Sequence, residues 1–490
     1  MYRLVVYELI FLLVVAGVLG AVGLLPYSPL YLAFSTVALF GVCLSVNTIF
    51  AYMFDVPANP ESTWITALIL ALIIKPPVSF WDAQFLPLAL WAGAWAIASK
   101  YILAIKGKHL FNPAALGVAI TSLVLGLSAS WWVGTPVMAP FVLLGGLLIV
   151  RKIHRFDLWL AFVATFATGI LYSALSHGSL AIVAGQSFLY APVFFFSTVM
   201  LTEPATMPST RSMRILYGML VGLLFLPNVS IGSFYFTPEL ALLLGNIFVY
   251  SVSPKYKLVL ELVETVPISH DTCDFIFKSN RPLTFQPGQY MELTVKHEQS
   301  DARGMRRYFT LASSPTEKDV RFGIKFYEPA SSFKKALLLM RPGDSLAAGQ
   351  LAGDFTLPRD KKKKLVFVAG GIGITPFRSI AQYLIDTKQK RDAILLYSNK
   401  TSSDIVYEEV FAEAGEKTGL KTVYVITDEK GPCYTGVIDQ KMLIAEVPDY
   451  KERTFYISGP QRMVTGFTEL LENLGVSRSQ IKTDYFPGFA

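Results

Sequence analysis

The run Gly370-Gly371-Ile372-Gly373-Ile374-Thr375-Pro376 lies between an apolar stretch, KLVFVA, and an amphipathic one, FRSIAQYLIDTKQ. Glycines at such a junction let backbone amides approach a pyrophosphate. The following helix N-terminus adds a favourable field, and Thr375 can donate a hydroxyl hydrogen bond. Gly-rich turns also serve tight packing, so the surrounding elements must decide. A second set of polar groups sits in the apolar first half, in the stretches 59–77, 107–117 and 201–222. There Ser62, Asn112, Thr202 and Thr206 neighbour prolines and either cap helices or present donors to an anionic or carbonyl-bearing ligand. Cys43, Cys273 and Cys433 lie far apart without CxxC spacing, so cysteine alone assembles neither an iron–sulfur cluster nor a zinc site, and no metal site is expected.

The elements that must position these groups divide sharply. The chain has 490 residues, 53% hydrophobic, and only 17 of its 79 Asp, Glu, Lys and Arg residues fall within 1–252. Its mean hydropathy of +0.46 therefore averages a lipid-solvated half with an ordinary water-soluble one. Apolar segments read at about 4–25, 30–54, 62–75, 84–105, 113–130, 136–150, 156–176, 180–201, 214–226 and 237–252 predict ten crossings, the third, sixth and ninth short. Short spans in such a bundle are often broken helices that line a cofactor or ion site. The first segment follows a single basic residue, Arg3, and reads as a retained span.

With both termini cytoplasmic, the inner loops hold Lys106 and Lys108, then Arg151, Lys152 and Arg155, then Arg211 and Arg214, then Lys255 and Lys257. The outer loops hold only Lys75, the asymmetry the positive-inside rule demands. This predicts a multi-pass protein of the cell (inner) membrane, in contact with lipid, whose soluble half faces the cytoplasm. The same loop pattern accounts for the net charge of +7 without nucleic acid as a partner.

Gly107, Lys108, Phe111, Asn112, Pro113 and Ala114, together with Thr202, Glu203, Pro204 and Thr206, closely resemble signatures of two ten-span membrane flavin subunits. These are the B subunit of sodium-translocating NADH:quinone reductase and the D subunit of the Rnf complex. Glu203 replaces the usual Asp. The resemblance covers nearly all of 1–250 and implies a second flavin, FMN or riboflavin, held among the helices by Lys108, Asn112, Thr202 and Thr206. Thr135, in WVGTPV, falls where family members attach FMN through a phosphoester. The residues before it do not match what a flavin transferase reads, so a non-covalent flavin is expected.

After residue 253 the pattern shortens. KLVLELVETV, CDFIFKS and QYMELTVKH alternate as strands, with a turn at Pro287–Gly288. From Lys364 the order becomes strand, loop, helix, with later strands DAILLYSN, KTVYVITD and RTFYISG. The expected architecture is a polytopic α-helical membrane domain (1–252) fused to a cytoplasmic β-barrel (253–358) and an α/β nicotinamide-binding domain (359–490).

RRYFTLASSP, GGIGITP, YSNKTSSDIVYEE, YISGPQRM and DYFPGFA, in that order, resemble the ferredoxin–NADP reductase superfamily of FAD-dependent NAD(P)H oxidoreductases over about 255–490. The resemblance implies FAD in the barrel. Arg307 would pair with the FAD pyrophosphate, Phe309, beside Tyr308, would lie against the flavin, and Thr310 would hydrogen-bond near N5. Ser331 and Ser332 would add donors, although the customary glycines are missing there. For the nicotinamide cofactor it implies Gly370, Gly371, Gly373, Thr375 and Pro376 on the pyrophosphate. Ser398, Asn399 and Lys400 would lie at the adenosine ribose, where Lys400 tips the expectation slightly from NADH towards NADPH. Ser458 stands where a Cys is common beside the nicotinamide. Phe486 and Phe489 either cover the flavin or pin the terminus.

A nicotinamide delivers two electrons as hydride, and a flavin can accept them and release them singly. The two halves together predict a membrane NAD(P)H dehydrogenase. Hydride would pass to FAD, and electrons would then pass through the membrane flavin to a quinone, an extracytoplasmic acceptor or a partner redox protein. The alternatives are a redox-driven sodium or proton transporter, with Glu203 the main acidic candidate, and a membrane-tethered ferredoxin or flavin reductase.

Overall fold

A computed structural model describes the chain except residues 1, 55–59, 106–107, 154, 178–186, 189–191, 209, 228, 233, 253–257, 298–300, 302–304, 430–433 and 487–490. It divides into two compact units, Met1–Tyr256 and Lys257–Ala490.

The first unit is helical: α1 (Tyr2–Ala21), α2 (Pro29–Met53), α3 (Pro60–Ile73), α4 (Phe85–Ile102), α5 (Pro113–Leu125), α6 (Ala139–Ile153), α7 (Phe156–His177), α8 (Val193–Phe195), α9 (Arg211–Leu224) and α10 (Pro238–Val252). α8 runs into a π-helical turn, Phe196–Met200. Of these, α1, α2, α4 and α7 are long and apolar enough to cross a membrane. The other apolar segments of the sequence reading are shorter helices or lie partly outside the described residues. The 13 to 15 residues of α3, α5, α6, α9 and α10 reach only about 20–22 Å, against roughly 30 Å of hydrocarbon.

Small residues set the helix contacts. A Cβ on Gly117 of α5 would lie 2.3 Å from Ala92 O and 2.9 Å from Ala96 Cβ of α4. A Cβ on Gly218 of α9 would lie 2.7 Å from Leu158 O of α7. Backbones that approach this closely pack by van der Waals contact, which holds apolar helices together without a hydrophobic drive. Phe162, Phe166, Phe196 and Phe225 fill the space beside them as a buried aromatic cluster.

Two short antiparallel pairs interrupt the helices: β1 (Ala104–Ile105) with β2 (Lys108–His109), and β3 (Ser230–Ile231) with β4 (Phe234–Tyr235). The first pair delivers the chain to Asn112, whose side chain accepts from Ala115 N and caps α5 ahead of Pro113.

The second unit holds two six-stranded sheets. The first comprises β5 (Leu258–Ser269), β6 (Thr272–Ser279), β7 (Tyr290–Thr294), β8 (Arg306–Thr310), β9 (Val320–Lys325) and β10 (Ser345–Ala352). These strands are antiparallel in the order β8-β7-β10-β5-β6-β9. Its edge strands converge where Ala312 N donates to Arg321 O at 2.9 Å, which curls the sheet towards closure. α11 (Ser332–Leu338) follows β9.

The second sheet is parallel, in the order β14-β13-β12-β11-β15-β16. It comprises β11 (Leu365–Gly370), β12 (Ala393–Asn399), β13 (Lys421–Ile426), β14 (Tyr434–Thr435), β15 (Thr454–Pro460) and β16 (Ile481–Phe486). Every residue of β11 is buried, as a central parallel strand covered on both faces requires. α12 (Thr375–Asp386) and α13 (Glu408–Thr418) lie on the face with Phe367, Tyr397 and Tyr456. α14 (Gln440–Glu446) and α15 (Gln461–Asn473) cover the other, with Val366, Val368 and Ile457. Because β12 and β15 flank β11 and leave it in opposite directions, the carboxyl edge beside β11 is the switch point where such sheets bind ligands.

Candidate functional site

β11 ends at Gly370, and Gly371 takes a left-handed φ of 52° to start a 3-10 turn, Gly371–Ile374. α12 then begins at Thr375 with Pro376 in its first turn. Gly373 allows the crossing: a Cβ there would lie 2.3 Å from Ser458 O and 2.7 Å from Gly459 Cα. Both neighbours are backbone and cannot yield. Gly373→Ala is expected to cost about 1–3 kcal/mol by overpacking. The measurement is thermal unfolding of the full chain alongside nicotinamide nucleotide binding, both of which should weaken. Thr375 is buried, and its hydroxyl donates to Ile372 O at 3.2 Å, so it closes the turn locally.

Across β11, Ser458 pairs in register with Ala369 on one side and Asp484 on the other. The Ser458 hydroxyl and Asp484 Oδ2 are both buried without a partner among the described residues. Thr310, itself buried at the end of β8, hydrogen-bonds to the Asp484 carboxyl. Burial pushes that carboxyl up to about 6, and the Thr310 hydrogen bond opposes the rise only in part. A cluster of unsatisfied polar groups in an otherwise packed core marks a place prepared for a ligand or for proton handling. Sequence reasoning placed Thr310 and Ser458 here but missed Asp484. The only signal was an acid inside a C-terminal β pattern, IKTDYF.

On β8, the Arg307 guanidinium stands 5.4 Å from the Phe333 ring centroid, and Phe309 stacks on the same ring at 5.7 Å. Phe333 is fully buried in α11, so one side chain fixes both residues against that helix. Ser331 caps α11 by accepting from Lys334 N. Ser332 N donates to Asp301 Oδ2 at 3.0 Å, and Arg307 Nη2 lies 3.6 Å from Asp301 Oδ1. Arg307 and the Ser332 amide thus converge on one carboxylate, and donors of this kind fit the pyrophosphate of FAD. Ser332 Oγ itself is shared between His297 Nε2 and Asp301 N. Tyr308 is half exposed and meets Tyr290 edge-on.

The two sheets of this unit are clamped beside the site. Tyr407 hydroxyl donates to Asp274 Oδ1 at 2.5 Å, Arg321 pairs with Asp274 Oδ2 at 2.6 Å, and Arg378 forks onto Glu317. Burial next to the Asp274 carboxylate holds the Tyr407 phenol well above its usual range. On β9, Gly323 makes room, since a Cβ there would lie 2.9 Å from Thr375 Cγ2. The Gly-rich turn thereby abuts the first sheet. Ser398, at the end of β12, pairs in register with Gly370, and Lys400 follows it, exposed. Phe489 lies outside the described residues, as does the side chain of Phe486.

In the helical unit, Asn112 Nδ2 and Thr206 Oγ1 both donate to Glu203 Oε2, at 2.9 and 3.0 Å, and His109 Nε2 lies 3.5 Å from Glu203 Oε1. Asn246 accepts from Asn112 N and donates to Thr206 O and to the Tyr217 hydroxyl. Lys100 Nζ donates to Ser62 Oγ and Thr66 Oγ1. Two expected flavin contacts, Asn112 and Thr206, are thus brought together, but around a carboxylate. Thr202 is not part of this set: its hydroxyl turns back to Thr198 O. Thr135 Oγ1 is buried without a partner among the described residues. Gly107 and the Lys108 side chain lie outside the described residues. Asn246, Tyr217 and Lys100 were not foreseen.

Residues 367–469 match the family described as an oxidoreductase NAD-binding domain. The chain is 25% identical over 237 residues to the glycine betaine monooxygenase reductase subunit of Pseudomonas aeruginosa, covering 46% of this chain and 64% of that protein. It is 27% identical over 239 residues to the aromatic O-demethylase reductase subunit of an Amycolatopsis species, covering 48% and 70%. Among solved structures, the Amycolatopsis cytochrome P450 reductase GcoB aligns at 25% identity over 47% of this chain and 69% of that one, with a TM-score of 0.43.

Proposed function

We propose that the second unit is an FAD-dependent NAD(P)H oxidoreductase of the cytoplasmic face, and that the first carries its electrons into the membrane. The observation that carries the reading is the Asp301 carboxylate met jointly by Arg307 and the Ser332 amide, an anion seat served by the same strand, β8, that carries Thr310. Relatives named as reductase subunits of oxygenase systems support the redox assignment and a partner redox protein as acceptor. Bound FAD would supply a centre that takes two electrons together and gives them up one at a time.

The chain's own residues bind, orient and manage protons. Arg307 and the α11 N-terminus take the pyrophosphate, Phe309 packs beside it, and the Gly371–Thr375 turn receives the nicotinamide nucleotide. Thr310 donates its hydroxyl to the Asp484 carboxyl, which can itself take up and release a proton, and Ser458 packs beside them in a buried position that excludes water.

For the first unit, the polar set around Glu203, in a fold otherwise built of apolar helices, supports a second flavin, FMN or riboflavin, bound without a covalent link. Its outlet would be a quinone or an extracytoplasmic acceptor, with the chain resident in the cell (inner) membrane, surrounded by lipid, through about ten crossings. The test is flavin content of the purified chain: about two per chain supports an electron wire across the membrane, whereas one supports a tethered reductase. NAD(P)H oxidation in sealed vesicles should then reduce an impermeant acceptor on the far side. A second reading, redox-driven sodium or proton movement, is favoured by the Glu203 carboxylate, and cation uptake during turnover would select it.

A further inference from the structure

β11 and its neighbours β12 and β15 run parallel, so the three loops that enter them lie together at the edge opposite the Gly-rich turn. The loop 358–364 is sewn to the loop 386–392: Leu365 N donates to Asp392 O at 2.8 Å, and Arg391 donates to Asp360 O at 2.7 Å and to Pro358 O at 3.1 Å. The loop 449–453 joins them, because Lys364 meets Asp449 and Glu452 at 2.9 and 2.7 Å, and Arg453 meets Asp449 and Asp392 at 2.5 and 2.7 Å.

These loops carry ten basic residues and five acids. The contacts above engage Lys364, Arg391 and Arg453, and with them Asp392, Asp449 and Glu452. Of the other two acids, Asp360 accepts from Lys362 N, and Asp386 accepts from Thr316 and Gln382. Seven exposed cations remain: Arg359, Lys361, Lys362, Lys363, Lys388, Lys390 and Lys451. Lys388 takes a left-handed φ of 51° at the end of α12, a place glycine would fill without strain, yet a further cation stands there. The six residues of β11 span about 20 Å, so this charge lies at the far end of the strand from the coenzyme turn. It is dominated by lysine, and none of the three loops exposes a large apolar side chain. Protein partners are met instead through aromatic, Met and Arg centres, with lysine depleted. A lysine cluster without an apolar centre fits the diffuse negative charge of lipid headgroups.

We infer that this entering edge of the parallel sheet docks on an anionic lipid surface, which leaves the Gly-rich edge open to the coenzyme; the inference rests on the membrane reading above. Four helices of the first unit are long and apolar enough to cross a bilayer, and a tether of that kind holds a weak electrostatic contact at high local concentration. The test reconstitutes the full chain in lipid nanodiscs, either purely phosphatidylcholine or with about one-third phosphatidylglycerol, and follows lysine labelling by a water-soluble amine reagent with mass spectrometry. In the anionic discs Lys361, Lys362, Lys363, Lys388 and Lys390 are expected to react about threefold or more slowly than in the neutral ones, and about 0.5 M NaCl should abolish the difference. Lys400, exposed at the opposite edge, should label equally in both. K361Q/K362Q/K363Q should remove the protection of Lys388 and Lys390. Equal labelling in the two discs, or equal protection of Lys400, overturns the inference. So does protection seen in native membranes but in neither disc, which would identify a protein partner instead. A chain that does not enter the discs at all removes the membrane reading itself.

Discussion

Arg307→Ala is expected to yield a folded chain that loses the flavin of its second unit on gel filtration. The guanidinium is held against Phe333 and faces the Asp301 carboxylate, so it is oriented before any ligand arrives. A charge-assisted hydrogen bond to a phosphate contributes roughly 1.5–3 kcal/mol, which weakens FAD binding by about 10- to 150-fold when lost. Arg307→Lys keeps the charge but not the planar fork and should recover only part of this. Flavin absorbance per chain and FAD titration of the stripped protein measure the effect. Full retention in Arg307→Ala would remove the anion seat from the proposed site. Asp301→Asn should act in the opposite direction, tightening FAD, because the carboxylate competes with the pyrophosphate for the same donors.

Some of this site was legible in the sequence because its chemistry depends on residues next to one another. Gly371 and Gly373 are glycines for reasons visible in a seven-residue run, a left-handed φ and a backbone crossing, and Asn112 before Pro113 is a helix cap by local rule. Other parts depend on contacts that no local pattern encodes. Glu203 is reached by Asn112 from 91 residues away, and Glu429 meets Ser402 only because β12 and β13 are neighbours. Phe333 carries no local signal of its part in the site, which arises from its ring lying against both Arg307 and Phe309. Hydropathy marked apolar stretches without their helical lengths. The segment read as a span over 84–105 ends instead with α4 at Ile102, and the one over 113–130 with α5 at Leu125.

Asp484→Asn is expected to change both stability and the pH profile, in directions that follow from burial. The carboxyl titrates near 3.8 when unfolded and is pushed up to about 6 in the fold, because one oxygen is buried without a partner and the Thr310 hydrogen bond compensates only partly. The folded state therefore binds the proton more tightly than the unfolded one. Below pH 4 both states are protonated, and the group has no differential effect. As pH rises from 4 to 6 the unfolded chain releases its proton first, so stability falls, and above 6 the loss levels off at about 3 kcal/mol. An amide of the same shape carries no such cost. Asp484→Asn should thus raise the midpoint of thermal unfolding at pH 7–8, with the gain shrinking towards pH 4. The same substitution removes the titrating carboxyl, so a limb of kcat near pH 6 should disappear while the KM for the nicotinamide nucleotide holds. A merely structural role for Asp484 predicts the stability change alone, with the kinetic limb intact. A buried carboxylate retained at a cost of a few kcal/mol fits the trade-off between stability and activity expected at a site that binds a ligand or handles protons.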